Sequence, residues 1–462
     1  MICSISESKT LFTSGRWDAE YFQPRYISLQ STLKKNGAVP LGTMATHVAR
    51  GVAPPYLENG SVPVVRTVNV RELEFSDTRR VFVAASSYDN MPDAQIKPGD
   101  LAITSTGVGT LGRVFANVTN DVWFADGHIT VVRLKKQELA PYIAAVLQSQ
   151  IGQWQLEQRQ RGSSGQIEIY PEDISAILIP KLSENLMNRI ASLWLEAVDY
   201  ISMARKSYLE AEKELLERLN WEVMQKKSVE LSYIVGFNEL NKGARVDAEF
   251  FQPQYMRLHT YLKKLGGVML GDLVSSFSRG TQPDGYNDEG EVIVVKSKQV
   301  TGRGLELESC ERTGITAYAD EKAQLKPGDL VINSTGLGTL GRAAVVPRHN
   351  SKVVAAVDLV IAHLRKEIIV PDYLALFLNS PAGIAQSEQY QTGSSGQLHL
   401  YPQHFAQFMI FLPRNENRHI DIEWQERLAA KVRASGVAQQ KARKKLEKVK
   451  QLVEDALKSE RI

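Results

Sequence analysis

The chain has 462 residues, which at about 100–200 residues per domain allows two to four domains. It is 43% apolar and 23% charged, an ordinary globular composition that excludes disordered, collagen-like and low-complexity classes. Fifty-five basic against 52 acidic residues leave a net charge of +3, so any basic surface for a polyanion must be local. The two cysteines, Cys3 and Cys310, lack a CxxC spacing and support neither a disulfide framework nor a four-cysteine zinc site. No apolar run approaches the ~18 residues of a membrane span, and the first residues lack the apolar core of a signal peptide. A cytoplasmic protein with no membrane contact is expected.

Internal repetition dominates the sequence. DAEYFQPRY at 18–26 returns as DAEFFQPQY at 247–255, and IKPGDLAITSTGVGTLGR at 96–113 returns as LKPGDLVINSTGLGTLGR at 325–342, with 14 of 18 positions identical. GSSGQIEIYP at 162–171 returns as GSSGQLHLYP at 393–402. The displacement is 229 residues for the first two segments and 231 for the third, so the register hardly drifts. The chain is a tandem duplication.

Each copy opens with a first-turn proline, Pro24 or Pro253. Apolar residues at helical spacing follow, Tyr26, Leu29 and Leu33 or Tyr255, Leu258 and Leu262, and then a stop at Gly37 or Gly266. A short amphipathic helix is predicted in each. VPVVRTVNV at 62–70 and EVIVVKSKQV at 291–300 read as strands, and the KPGD turns at 97–100 and 326–329 feed the strands LAITS and LVINS. Pro141 and Pro371 open a second helix, after which the glycine-bounded GSSGQ turn leads to a last strand ending at Pro180 or Pro413.

A long helix closes each copy. Ile190, Trp194, Ala197, Ile201, Ala204, Tyr208, Ala211 and Leu215 step by four and three, as do Leu428, Val432, Ser435, Gln439, Ala442, Leu446, Val449 and Val453. Residues 184–222 carry five basic and eight acidic side chains, and residues 423–461 carry eleven and six, so the two seams are expected to pair. A pseudo-two-fold relation between the copies makes that pairing antiparallel, with helices roughly 50 Å long. The predicted fold is α+β: two tandem-repeat α/β lobes separated by a long antiparallel two-helix coiled coil. Its segments are lobe one (1–182), a spacer helix and linker (183–227), lobe two (228–413) and a second spacer helix (414–462).

Two non-identical lobes, each followed by a long helix and each carrying PGDL-x-I-x-S-T-G-x-G-x-x-G-R, resemble the specificity subunit of type I restriction–modification systems, from Asp18 to about Leu457. The resemblance implies two target-recognition domains, each reading half of a split double-stranded DNA sequence, with the helices acting as a ruler. It implies docking of two adenine methyltransferase subunits, joined in the full complex by endonuclease/translocase subunits. It also implies a chain that is not itself catalytic and carries no cofactor, the methyl donor, ATP and magnesium belonging to partners. The target would be asymmetric, with half-sites about one helical turn apart. One departure is the stretch of residues between the first long helix and DAEFFQP, which is longer than a minimal join.

The residues agree on the absence of chemistry. After the last glycine of STGxGTLGR stand Arg113-Val114 and Arg342-Ala343 in place of the Lys-Ser/Thr of a Walker A loop. Ala53-Pro54-Pro55-Tyr56 is the nearest approach to a base-flipping methyltransferase motif, and alanine cannot accept the required hydrogen bond; lobe two has Gln282-Pro283-Asp284 there. His399 and His404 match Glu168 and Asp173 of lobe one and flank a turn, which favours a solvated pair over metal ligands. No metal site and no catalytic residue is assigned. The rival readings are a divergent self-contained methyltransferase–nuclease and a DNA-binding scaffold of another phage-defence complex.

DNA-binding candidates follow from comparing the lobes. Lobes that read different half-sites should share residues serving scaffold or phosphate, and differ where side chains meet base edges. The glycine-rich loop has two readings, a tight turn between strands or a DNA-backbone contact through its amides, Thr106 or Thr335, and Arg113 or Arg342. Ser163, Ser164 and Gln166, with Ser394, Ser395 and Gln397, read as turn-capping or phosphate-contacting. Base readers are expected in 51–95 with 280–324 and in 114–126 with 343–357, where Arg66 and Asn69 correspond to Lys296 and Gln299. Arg50, Arg71, Arg79, Arg80, Arg279 and Arg303 add positive charge around them. On the helices, Leu209, Leu216, Leu219, Leu452 and Leu457 lie off the seam and are expected to dock the partner.

Overall fold

The computed structural model describes residues 16–77, 79–162, 167–224, 232–236, 245–365, 367–393 and 398–459. The chain divides into two compact units: the residues up to Ser202 together with those from Ala438 onward, and Met203–Val437. The long helices, Glu184–Arg218 and Ile422–Ser459, therefore form no unit of their own. Each contributes a segment to both units, because its apolar stripe completes two different cores.

In the first unit, helix Pro24–Lys35 buries Tyr26, Leu29 and Leu33, and the chain leaves it through Gly37 at φ 69°, a left-handed conformation that glycine adopts freely. An antiparallel sheet orders Ala45–Arg50, Ile129–Leu134, Leu101–Thr104 and Val114–Ala116. A second sheet orders Phe82–Val83, Val62–Val65, Trp123–Ala125 and Gln95–Ile96, with the pair Val64–Phe124 parallel. The chain passes between the two sheets at Gly51, where a Cβ would lie 2.1 Å from the Ala125 carbonyl oxygen. The strand predicted over 62–70 stops at Val65, because the chain then turns back on itself so that the Ser76 amide donates to the Asn69 carbonyl at 2.7 Å.

The second unit repeats the plan. Its four-stranded sheet orders Val274–Arg279, Leu359–Leu364, Leu330–Asn333 and Ala343–Val345, and a three-stranded sheet orders Glu311–Thr313, Val292–Val295 and Lys352–Ala355. The first strand of the four-stranded sheet carries the same irregularity in both units, between Ala45 and His47 and between Val274 and Ser276. Gly280 repeats the crossing of Gly51, with a would-be Cβ 2.0 Å from the Ala356 oxygen.

The second predicted helix is a pair in each unit, Ala140–Gln148 with Gln150–Gln158 and Pro371–Asn379 with Pro381–Tyr390. Extended serines break them, Ser149 at ψ 166° and Ser380 at ψ 165°, and their hydroxyls donate to Val146 O at 2.7 Å and Phe377 O at 2.6 Å. The sharp bend brings Gly152 and Gly383 against the preceding helix, where a Cβ would sit 2.3 Å from Leu147 Cα or 2.2 Å from Leu378 O. Gln155 and Gln386 then clamp the last short strand by bonding both backbone groups of Leu178 and of Met409.

The DAE-x-F-Q-P repeat has a structural job in each copy. Asp18 accepts from Arg16 at 2.6 Å and from the Tyr21 amide at 3.0 Å, while Arg16 also donates to Gln160 O at 3.0 Å. Asp247, Arg245, the Phe250 amide and Gln391 O repeat the arrangement. The arginine hydrogen bonds hold both carboxyls below the usual carboxylate range.

Within each unit the long helices run antiparallel. In the first, Trp194 and Ala197 share one core with Ala442, Leu446, Val449 and Val453, and Glu196 pairs with Lys445. In the second, Tyr208, Ala211 and Leu215 share a core with Leu428 and Val432, Glu214 pairs with Lys431 at 3.1 Å and with Arg427, and Arg218 meets Asp421 at 3.0 Å. Partner numbers fall as residue numbers rise, as the seams and the opposite charges predicted. No helix among the described residues is long and apolar enough to cross a membrane.

Two predictions follow from this packing. Gly152→Ala or Gly383→Ala forces backbone apart and is expected to lower stability by about 1–3 kcal/mol, read as a fall of several degrees in thermal midpoint. Because Asp18 and Asp247 have depressed pKa values, their contribution is complete above the unfolded value near 4 and disappears as pH falls through the lower folded values. Asp18→Asn with Asp247→Asn should therefore flatten the acid limb of the midpoint-against-pH curve and leave a lower midpoint at pH 7.

Candidate nucleic-acid interface

Two of the residues expected to read bases, Asn69 and Gln299, do not face solvent. Asn69 is 3% exposed; its carbonyl accepts from the Arg66 amide at 3.0 Å and its amide donates to Ser76 O at 2.8 Å. Gln299 is 2% exposed and does the same, accepting from the Lys296 amide at 3.2 Å and donating to Ser309 O at 2.9 Å. Both brace a turn against the far side of its loop. In lobe two that far side lies ten residues on instead of seven, and the longer amide spans it. The difference between lobes that suggested base reading is a difference in loop length, and Asn69 and Gln299 are corrected to scaffold residues.

Their neighbours Arg66 and Lys296 are half-buried. Arg66 donates to Arg79 O. Lys296 sits 3.7 Å from the Tyr286 ring centroid and bonds Glu311, whose carboxyl is held low by Lys296 and Lys298. Tyr56 of lobe one corresponds to Tyr286, is exposed, and bonds Asp126 through its hydroxyl. Burial and that carboxylate push the Tyr56 phenol up to about 12. Sequence comparison missed both tyrosines as candidates, although a tyrosine repeated ten residues before Arg66 and Lys296 was there to be read.

The glycine-rich loops are closed turns. Gly107, Gly109 and Gly112 have φ of 101°, 76° and 80°, and Gly336, Gly338 and Gly341 match them. The amides of Gly107, Thr110, Leu111, Gly112 and Arg113 all donate to main-chain carbonyls, as do those at the matching positions of lobe two. Arg113 folds back to Gly109 O at 2.9 Å and Arg342 to Gly338 O at 3.3 Å, both with pKa values lowered by desolvation. Those five amides are thus committed to main-chain carbonyls, that of the first glycine to Ile167 or Leu398 outside the turn, and the arginines hold carbonyls of the turn itself. Thr106 Oγ1 meets His128 Nδ1 at 2.7 Å, whereas Thr335 pairs through its backbone with His399. At each tip an apolar side chain stands exposed, Val108 or Leu337. Ser163, Ser164, Gln166, Ser394, Ser395 and Gln397 lie outside the described residues.

Beside each loop lies a tyrosine under cationic groups. Tyr170 has Arg50 at 5.1 Å and Arg161 at 5.4 Å from its ring centroid, and Tyr401 has Arg279 at 5.7 Å. Of the other arginines, Arg80 pairs with Asp77 at 3.2 Å, Arg71 donates to Val70 O at 3.1 Å, and Arg79 adopts φ 49°. Arg303 faces Tyr208 and Glu212 on the helix, where burial raises the Glu212 pKa.

The helix leucines separate into two groups. Leu219 is 1% and Leu457 5% exposed, and both belong to the cores, which corrects the expectation that they face a partner. The helical pitch carries them back onto the apolar stripe at the helix ends. Leu216 and Leu452 pack partly against the same cores, and Leu209 stands exposed. Among the described residues no cluster of three or more His, Cys, Asp or Glu side chains is arranged to hold a metal ion.

No family model matches the sequence, and no curated protein does. Among the solved structures that align with 91% of this chain are the following three. A type I restriction-modification system S subunit from M. genitalium is 12% identical, with 94% of its chain covered and a TM-score of 0.42. A chain from a study of complex assembly and conformational transition of the type I R-M system is 14% identical, 97% covered, with a TM-score of 0.28. The HsdS subunit from Thermoanaerobacter tengcongensis is 15% identical, 96% covered, with a TM-score of 0.27.

The amide braces have a direct test. Asn69→Ala or Gln299→Ala leaves buried main-chain groups without partners and is expected to cost about 1–3 kcal/mol, measured by thermal or urea unfolding. Arg66→Ala and Lys296→Ala, at half-buried positions, should change the midpoint less.

Proposed function

We propose that this chain is the DNA-specificity subunit of a type I restriction–modification complex. The observation that carries the reading is the pairing of one framework, repeated down to its glutamine clamps, arginine–aspartate caps and glycine crossings, with surface segments that differ between lobes. A shared framework with divergent surface loops suits a protein that reads two different half-sites. Each lobe reads one half of a bipartite double-stranded DNA target, and the long helices set the gap. The protein acts in the cytoplasm. Solvent-accessible residues of 51–95 with 280–324, the half-buried Arg66 and Lys296 among them, are the base-reading candidates.

The chain itself is not catalytic. Methyl transfer belongs to two adenine methyltransferase subunits docked through the helices, with Leu209 among the docking residues, and cleavage belongs to endonuclease/translocase subunits. The test is single-molecule sequencing for N6-methyladenine in a methylation-free host that carries the partner methyltransferase, with and without this chain. A split motif is expected only when this chain is present, and exchanging residues 51–126 should change one half of it alone. Unmodified adenines, with both proteins soluble and associated, would favour a defence scaffold without a methylation role.

A further inference from the structure

The two lobes present the same tyrosine on the same turn, yet the charges around it are exchanged. In lobe one each cation beside Tyr170 has its own carboxylate: Arg50 pairs with Glu168 at 3.0 Å and Arg161 with Asp173 at 2.9 Å. In lobe two Arg279 is retained beside Tyr401, but His399 replaces Glu168, Thr392 replaces Arg161 and His404 replaces Asp173. His399 lies nearly parallel to the Tyr401 ring at 6.2 Å, and His404 meets it edge-on at 5.5 Å. Arg279 donates to Val357 O at 3.2 Å, and among the described residues it forms no ion pair. Asp358, the counterpart of His128, forms no ion pair among the described residues. His404 Nδ1 accepts from the Tyr401 amide at 3.3 Å, and burial, with the nearby Arg245 that already serves Asp247, disfavours its protonated form.

An exposed aromatic ring carrying two imidazoles and one guanidinium that has no ion pair among the described residues, with the neighbouring carboxylates replaced, has the composition of a phosphodiester contact. The lobe-one version satisfies itself. We infer that lobe two carries a DNA-phosphate cradle formed by Arg279, His399, Tyr401 and His404, which lobe one cancels with Glu168 and Asp173, so that the two halves of the target are gripped unequally. The inference rests on the DNA-binding reading above and adds to it which lobe supplies the salt-sensitive hold.

The experiment uses the full chain and a ~30-base-pair duplex of mixed sequence, with affinity measured from about 50 to 200 mM salt. Arg279→Gln is expected to weaken binding about fivefold at the lowest salt and to make the slope of log K against log salt shallower by about 1. Installing the lobe-one charges with His399→Glu and His404→Asp should do at least as much. The reciprocal change, Glu168→His with Asp173→His, should tighten binding and steepen the slope, an effect that loss of folding cannot mimic. If the wild-type chain binds the duplex and all three variants keep its affinity and slope, the cradle is overturned and DNA binding stands. If the wild-type chain fails to bind the duplex, the DNA reading falls and the cradle with it.

Discussion

A helix of 35 or 38 residues with a single apolar stripe has no stable place in water until that stripe is covered. Here each long helix covers its stripe against the other helix and against a lobe at once. Residues 442–457 complete the core of lobe one, although they lie more than 260 residues beyond that lobe's last strand. Trp194 concentrates the dependence: it is fully buried, its indole N–H donates to Gln148 at 2.9 Å, and Gln148 in turn donates to Val114 O at 2.8 Å. One polar chain thus ties the long helix to the helix pair and the sheet of its unit. Lys450 adds a second tie to Glu72 at 2.8 Å.

Duplication lets the molecule be compared with itself. Framework interactions persist even where residues change, because what must be satisfied is a backbone group at a given place. Asp100 bonds the Lys97 amide and is held by Arg133, whereas Asp329 bonds the Lys326 amide and faces His363. Asn69 and Gln299 differ by one methylene and solve the same problem across loops of different length. Divergence between lobes therefore marks function only when it lies at the surface. The exchange around Tyr170 and Tyr401 meets that condition: it replaces carboxylates by imidazoles beside an exposed ring and keeps the same backbone pairing, Arg161 with Glu168 and Thr392 with His399.

The candidate site was legible in part. Arg113 and Arg342 carried two readings in sequence, and folding resolved their geometry: each guanidinium turns back on its own loop. Tyr56 was read only within the rejected Ala53-Pro54-Pro55-Tyr56 motif, and its repetition at Tyr286 was open to reading. The platform at Tyr170 and Tyr401 was partly seen, through the histidine-for-carboxylate exchange, but its meaning required Arg50 and Arg279, which lie more than 100 residues away in sequence.

What the amino-acid sequence determined by itself is periodic or repeated: the duplication, the opening helices, the KPGD turns, the long helices and their seams with opposite charge. Helical spacing and turn chemistry act over a few residues, and a repeat displays itself at any distance. What only tertiary structure decided is which polar side chains reach solvent, where the long helices are divided between two units, and that Leu219 and Leu457 turn inward. Those outcomes depend on which distant backbone groups need a partner and which stretch of stripe meets which core. They are contacts between segments that no local pattern encodes.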